Sequence, residues 1–164
     1  MLTVTTVPAD PSHANHEHTR ALFREYGEFL SRTQACGGTF NFERFSEEIR
    51  TLPGCYAHRG GDVLLARLDA SPVAVVAYRQ ASPDEPRTCE IKRLFVRESA
   101  RRQGLARALL SEVMQRAATQ GFTRAILDSD ASIMPAAIAL YQSLGFTEFG
   151  ERNGTIAFFE RSLP

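Results

Sequence analysis

The sequence predicts an α+β domain of three layers, a mixed, mostly antiparallel central sheet of about seven strands with helices on both faces. Three observations carry this. Two long segments repeat apolar residues at helical spacing: Leu22, Phe23, Tyr26, Phe29 and Leu30 in one, Leu105, Leu109, Val113 and Ala117 in the other. Short apolar or β-branched runs bounded by turn residues lie at 3–7, 63–68, 73–79, 87–96, 123–128, 146–149 and 155–161. Their order with the helices is β-αα-βββ-α-β-α-ββ, without repeats, linkers or low-complexity stretches, so residues 1–164 are read as a single domain.

Each element has a local reason. The first strand is β-branched and ends at Pro8; Asp10-Pro11-Ser12 then offers a helix start, and the apolar stripe carries that helix to about Thr33. Residues 34–41 contain Gly37-Gly38 and are read as a loop. Phe42, Phe45 and Ile49 mark a second short helix, stopped by Pro53-Gly54. Asp69-Ala70-Ser71-Pro72 joins the next two strands as a hairpin turn, and residues 82–87, with two prolines, are read as a loop. In the strand at 87–96 the apolar residues Ile91, Leu94 and Val96 break the period of two. A β-bulge at Lys92-Arg93 would account for the slip. Gly121 caps the helix at 103–120, Pro135 suits the first turn of the last helix, and Asn153-Gly154 signals the final hairpin.

Composition narrows the function classes. Formal net charge is +0 and the pI is about 6.9, so no whole-chain field favours nucleic acid or an anionic membrane, and any anion site must be local. No apolar run approaches the roughly 20 residues a membrane helix needs. The first residues lack the basic and apolar regions of a signal peptide. Cys36, Cys55 and Cys89 are odd in number and widely spaced, which suits a reducing cytoplasm better than a disulfide framework. His13 and His16 could share a helix face, but no second cluster completes a tetrahedral set, so no metal is expected.

The stretch with the most chemistry begins at Cys89. A buried strand, Cys89-Glu90-Ile91-Lys92-Arg93-Leu94-Phe95-Val96, leads through residues 97–100 into Arg101-Arg102-Gln103-Gly104-Leu105-Ala106-Arg107, the mouth of the central helix. Backbone N–H groups there lack intrahelical partners, and the helix dipole adds partial positive charge. Gly104 admits a close approach to the backbone, Ala106 is small, and Arg101, Arg102 and Arg107 add mobile charge. Together they make an anion cradle suited to a phosphate or pyrophosphate. It is not a P-loop, since no Gly-Lys-Ser/Thr follows, and the Gly-x-Gly-x-x-Gly spacing is absent.

These residues resemble the GNAT superfamily of acetyl-CoA-dependent N-acetyltransferases. The family's pyrophosphate loop has the form Gln/Arg-x-x-Gly-x-Gly/Ala, matched by Arg101-Arg102-Gln103-Gly104-Leu105-Ala106. A second signature follows in the expected order and spacing, Ala139-Leu140-Tyr141-Gln142-Ser143-Leu144-Gly145-Phe146. The likeness covers residues 60–160 well and the first sixty more loosely. It implies a GNAT-like fold and transfer of an acetyl group from acetyl-CoA to a primary amine of a small molecule or peptide, by direct attack in a ternary complex. Besides acetyl-CoA and the amine, the expected partners include neither nucleic acid nor membrane, and a homodimer is left open.

The resemblance also implies residue roles. Arg101, Arg102, Gln103, Gly104, Leu105, Ala106 and Arg107 would anchor the cofactor's phosphates. Leu94, Phe95 and Val96 would border its pantetheine arm and thioester, with the Val96 N–H polarising the carbonyl. Tyr141 is expected at the cofactor sulfur as the general acid. Met134 stands where the family often has an Asn touching pantetheine. The helix–loop–helix would cover the acceptor, which makes Tyr26, Phe29, Phe40 and Phe42 candidate walls. Glu90, on the bulged strand, is the expected base; a strand carboxylate paired with Lys92 or Arg93 is the competing reading. A non-catalytic acyl-CoA-binding regulatory domain is the alternative function. It would bind CoA without turning over any amine, whereas a generic phosphate-binding protein would not distinguish CoA from ATP or NAD.

Overall fold

The computed structural model describes residues 1–8, 10, 12–33 and 40–164. The elements are β1 (Leu2–Thr6), α1 (Ala14–Thr33), α2 (Phe42–Arg50), the one-turn α3 (Gly54–Ala57), β2 (Asp62–Leu68), β3 (Ser71–Ser82), β4 (Glu85–Val96), α4 (Leu105–Thr119), β5 (Arg124–Asp130), α5 (Pro135–Ser143), β6 (Thr147–Glu148) and β7 (Ile156–Ser162). The strands form one seven-stranded sheet in the order β1-β2-β3-β4-β5-β7-β6. Every neighbouring pair is antiparallel except β4 and β5. This is the expected mixed sheet, and the helices cover both its faces.

Strand alternation divides the apolar residues between two cores. Leu64, Val76, Tyr78, Cys89, Ile91 and Ala125 pack under α4 and α5, where Leu105, Leu109, Leu110, Val113 and Tyr141 meet them. Val63, Leu65, Val75, Ala77 and Phe95 face the other way, against Leu22 and Phe23 of α1, Phe45 of α2 and Tyr56 of α3. Two helices approach closely at Gly27, where an added Cβ would stand 2.9 Å from the Phe45 ring.

Three local expectations are revised. The first hairpin turn is tighter than four residues, because Asp69 and Ala70 both take positive φ, 47° and 68°, and β3 starts at Ser71. Such a two-residue turn matches the twist of the flanking strands. Residues 82–87 are not an open loop, since Ser82 pairs with Glu85 and only Pro83 and Asp84 turn. Pro86 is tolerated in β4 because pairing with β5 starts only at Thr88, so the missing N–H costs no ladder bond on that side. The bulge lies one residue further on than expected. Between the pairs Ala77–Lys92 and Val75–Phe95, Arg93 and Leu94 stand opposite Val76 alone, with Arg93 at φ 61°. The loop expected at 34–41 falls, for residues 34–39 and so for Cys36, outside the described residues.

Candidate active site

The site follows from two departures from a regular sheet. Parallel pairing of β4 with β5 spans Thr88–Arg124 to Glu90–Ile126 and stops, while β4 runs on to Val96 and β5 to Asp130. The bulge then sets the faces. Cys89 and Ile91 belong to the core under α4, so Glu90 and Lys92 face α2. The extra residue restores the alternation, leaving Leu94 and Val96 on the α4 side and Phe95 on the α1 side. Beyond the bulge the Arg97 N–H donates to the Val73 carbonyl on β3. Backbone alternation therefore turns the Val96 N–H away from β3, toward the gap between β4 and β5.

Two cavities open along that gap. The first, about 470 Å³, runs from the mouth of α4 past Leu94, Phe95 and Val96 to Met134 and Leu140. The second, about 330 Å³, lies deeper, between Leu94, Leu127, Asp128, Ser129 and Tyr141. They share Tyr26, Leu94 and Met134, so the first leads into the second.

The cradle fits a phosphorylated ligand on three counts. The first hydrogen bond of α4 runs from the Ala108 N–H to the Gly104 carbonyl, which leaves the preceding N–H groups at the helix mouth without intrahelical partners. Gly104 has φ 79°, and a Cβ built there would meet no atom within 4 Å, so the space over the backbone is open. Arg101, Arg102 and Arg107 line the same cavity; Arg101 arches back to donate to the Val96 carbonyl at 3.2 Å and to lie over the Phe29 ring.

Most residues singled out in the sequence meet here. Leu94, Phe95, Val96, Arg101, Arg102, Gly104, Leu105, Ala106, Arg107 and Met134 line the first cavity, and Tyr141 lines the second; Gln103 lines neither. Tyr26, Phe29 and Phe40 are walls, whereas Phe42 is exposed and only packs edge-on against Phe40. Tyr141 is 6% exposed, held between Phe146 and Phe159. Burial raises its pKa, with Tyr26 and the Asp128 charge adding to the rise against a smaller opposing pull from Ser129. The phenol is therefore protonated throughout the neutral range.

Glu90 lies elsewhere. It lines a third cavity, on the α2 side, where Lys92 donates to it at 2.8 Å and Arg79 stands 3.6 Å away. Asp128 and Ser129, which share Tyr141's chamber, were not singled out as site residues. Their signal was positional: they end the strand that pairs in parallel with β4, and ligands bind off the carboxyl ends of such strands. His13 and His16 serve the start of α1. His13 Nδ1 accepts from the Asn15 N–H, and the buried His16 places Nε2 2.6 Å from the Pro8 carbonyl oxygen. Among the described residues no helix is long and apolar enough to cross a membrane.

A splayed parallel pair, with an arginine-lined helix mouth at one end and a buried phenol inside, thus forms one continuous cleft. The chain belongs to the acetyltransferase (GNAT) family, whose profile matches residues 17–146. The co-substrate of that family is acetyl-CoA. Human N-acetyltransferase 8 is 38% identical over 100 residues, a stretch that covers 58% of this chain and 42% of that protein. The chain thus matches less than half the length of that relative. Among solved structures, a GNAT-family acetyltransferase from Staphylococcus aureus Mu50 superposes with TM-score 0.74 at 15% identity, covering 100% of both chains. The protein yncA of Salmonella typhimurium, solved with its cofactor acetyl-CoA, gives TM-score 0.69 at 17% identity, over 99% of this chain and 94% of that one.

Proposed function

We propose that the chain is an N-acetyltransferase that moves the acetyl group of acetyl-CoA to a primary amine of a small molecule or peptide, by direct attack in a ternary complex. The observation that carries this reading is the run of space from the helix mouth at Gly104, through the β4–β5 gap, to the hydroxyl-bearing chamber at Tyr141. Bound acetyl-CoA supplies an activated thioester. The backbone N–H groups that open α4, with Arg101, Arg102 and Arg107, neutralise its phosphates. Leu94, Met134 and Leu140 line a path for its pantetheine arm. The Val96 N–H, turned into the gap, is placed to stabilise an oxyanion.

Protons are handled by two side chains of the chamber. Tyr141, kept neutral by burial, donates to the leaving sulfur, and the proton that the attacking nitrogen sheds as the amide forms returns the phenol to its neutral state. An alkylammonium has a pKa near 10.4 and must lose a proton before it attacks. We assign that proton to Asp128, the carboxylate that lines the chamber with Tyr141, rather than to Glu90, which lines the adjoining cavity and is paired with Lys92. The odd number and wide spacing of Cys36, Cys55 and Cys89 in sequence support a reducing, cytoplasmic setting.

The test is release of free thiol from acetyl-CoA across a panel of amines, with pH–rate profiles for Asp128→Asn and Glu90→Gln. Asp128→Asn is expected to lower kcat/KM at neutral pH by about 10²-fold or more, with partial recovery as pH rises. A profile superimposable on that of the unaltered protein removes Asp128 from the mechanism. Tight CoA binding with no thiol release from any amine replaces the enzyme reading with a regulatory one.

A further inference from the structure

The third cavity, about 500 Å³, adjoins the Tyr141 chamber through Phe40, Asn41, Lys92 and Arg93. Among the described residues, four cations line it, Arg44, Arg79, Lys92 and Arg93, against three carboxylates, Glu47, Glu48 and Glu90. Two of those carboxylates are already committed. Glu47 pairs with Arg50, and Glu48 takes a two-pronged bond from Arg93 at 2.8 and 2.9 Å. Glu90 is the carboxylate paired with both Arg79 and Lys92, while Glu48, bound to Arg93, reaches Arg79 through its charge alone.

That sharing is uneven. Lys92 donates to Glu90 at 2.8 Å, while Arg79 stays at 3.6 Å and its buried Nε makes no hydrogen bond. Side-chain exposures of 17% for Arg79, 19% for Lys92 and 22% for Glu90 place the group largely out of water. A surplus cation held out of water is costly unless an anion completes it.

Lys92 is also the one lysine among the nineteen basic residues of the chain. An ammonium is a compact point charge with rotatable donors, able to turn between Glu90 and a ligand without leaving its place. It lines both the third cavity and the chamber.

We propose that Arg79 and Lys92 form a carboxylate-recognition site for the acceptor, so that the substrate is an amine that also carries a carboxylate, as in an amino acid or an acidic peptide. The amine enters the chamber at Asp128 and Tyr141; the carboxylate lies at Lys92, toward Arg79. Glu90 is then the counter-ion that holds the two cations in place until the acceptor arrives. This placement of the amine rests on the transferase reading above.

The experiment compares matched acceptors, a series of amino acids of increasing amine-to-carboxylate spacing, each against its carboxamide, which keeps the shape and removes the charge. Thiol release from acetyl-CoA gives kcat/KM for each pair. The charged member at the matching length is expected to be preferred by at least about 10-fold, the scale of one charge-assisted hydrogen bond. Lys92→Met keeps the apolar stem and is expected to abolish that preference, with Lys92→Arg restoring part of it. Glu90→Gln is expected to increase the preference, because it leaves both cations to the ligand. A peptide with an acidic second residue, set against the peptide with that side chain as its amide, distinguishes an acidic peptide from a free amino acid as the carboxylate's source. Equal kcat/KM for the charged and uncharged members, or a preference unchanged in Lys92→Met, overturns the inference while leaving the transferase reading intact. Calorimetric binding of the same pairs to CoA-loaded protein separates the converse case. Tighter binding of the carboxylate, lost in Lys92→Met, supports the cation pair even if no amine releases thiol.

Discussion

At the scale of single residues, Gly104 and Tyr141 carry the sharpest expectations. Gly104 sits at φ 79°, where an L-residue pays about 1–2 kcal/mol, least for Asn and Asp. Gly104→Asn and Gly104→Asp therefore share most of the backbone cost, and both place a side chain over the open cradle. Only Asp adds a charge like that of the phosphates. Gly104→Asp is expected to weaken acetyl-CoA binding by at least about 10-fold beyond Gly104→Asn, the loss of one charge-assisted contact. Equal affinities by calorimetry would show that no phosphate lies over Gly104. Tyr141→Phe keeps the ring between Phe146 and Phe159 and removes only the hydroxyl. It is expected to lower kcat by roughly 10²-fold with little change in acetyl-CoA affinity. Near-normal turnover would assign the leaving group's proton to water or to the amine.

At the scale of elements, the bulge in β4 is fastened to α2. Arg93 leaves the strand at φ 61°, stacks on the rings of Phe40 and Phe45, and makes a two-pronged bond to Glu48, which also accepts from the Tyr56 hydroxyl. Burial pushes the Glu48 carboxyl up, but Arg93 and Tyr56 outweigh it and hold the pKa below the ordinary value of 4.5. A carboxylate depressed in the folded state stabilises the fold fully above its unfolded pKa. That contribution is lost as pH falls through the lower, folded value. Glu48→Gln should cost on the order of 3 kcal/mol at neutral pH by stranding the Arg93 charge, and should flatten the loss of stability below about pH 4.5. Urea unfolding at several pH values measures both; parallel acid limbs for the two proteins would exclude Glu48 as a source of the pH dependence. The bulge was legible in sequence because Ile91 and Leu94 break the period of two. Its clasp was not, since Glu48 lies 45 positions before Arg93 and reads on its own as one acidic residue of a short polar helix. The turn at Pro83 and Asp84 was misread for a similar reason: prolines argue for a loop until the partner strand's length shows which N–H groups have no partner to lose.

At the scale of the whole molecule, the cleft comes from what the sheet fails to do. The cradle at Arg101-Arg102-Gln103-Gly104-Leu105-Ala106 was legible because it is continuous in sequence, and Tyr141 because its own signature surrounds it. The place of Glu90, and the company of Asp128 and Lys92, depend on where β4 and β5 part, a relation between strands that single-chain patterning does not encode. A ligand that bridges α4, β4, β5 and α5 links elements from both sides of this parting. Binding it should therefore stabilise the fold as one unit. At a concentration of 100 times Kd, a ligand of the native state alone adds about 2.7 kcal/mol. For a chain of this size each kcal/mol raises Tm by about 2–4 °C, so acetyl-CoA or CoA should raise Tm by about 5–11 °C. ATP and NAD present phosphates to the cradle but have no pantetheine arm to lie along Leu94, Met134 and Leu140. At equal concentration they should give a markedly smaller shift, and Met134→Asp should reduce the CoA shift without altering the small one. Thermal melts with each ligand decide this. Equal shifts for ATP and CoA would mean that the helix mouth alone binds, and that the gap between β4 and β5 contributes nothing to holding the cofactor.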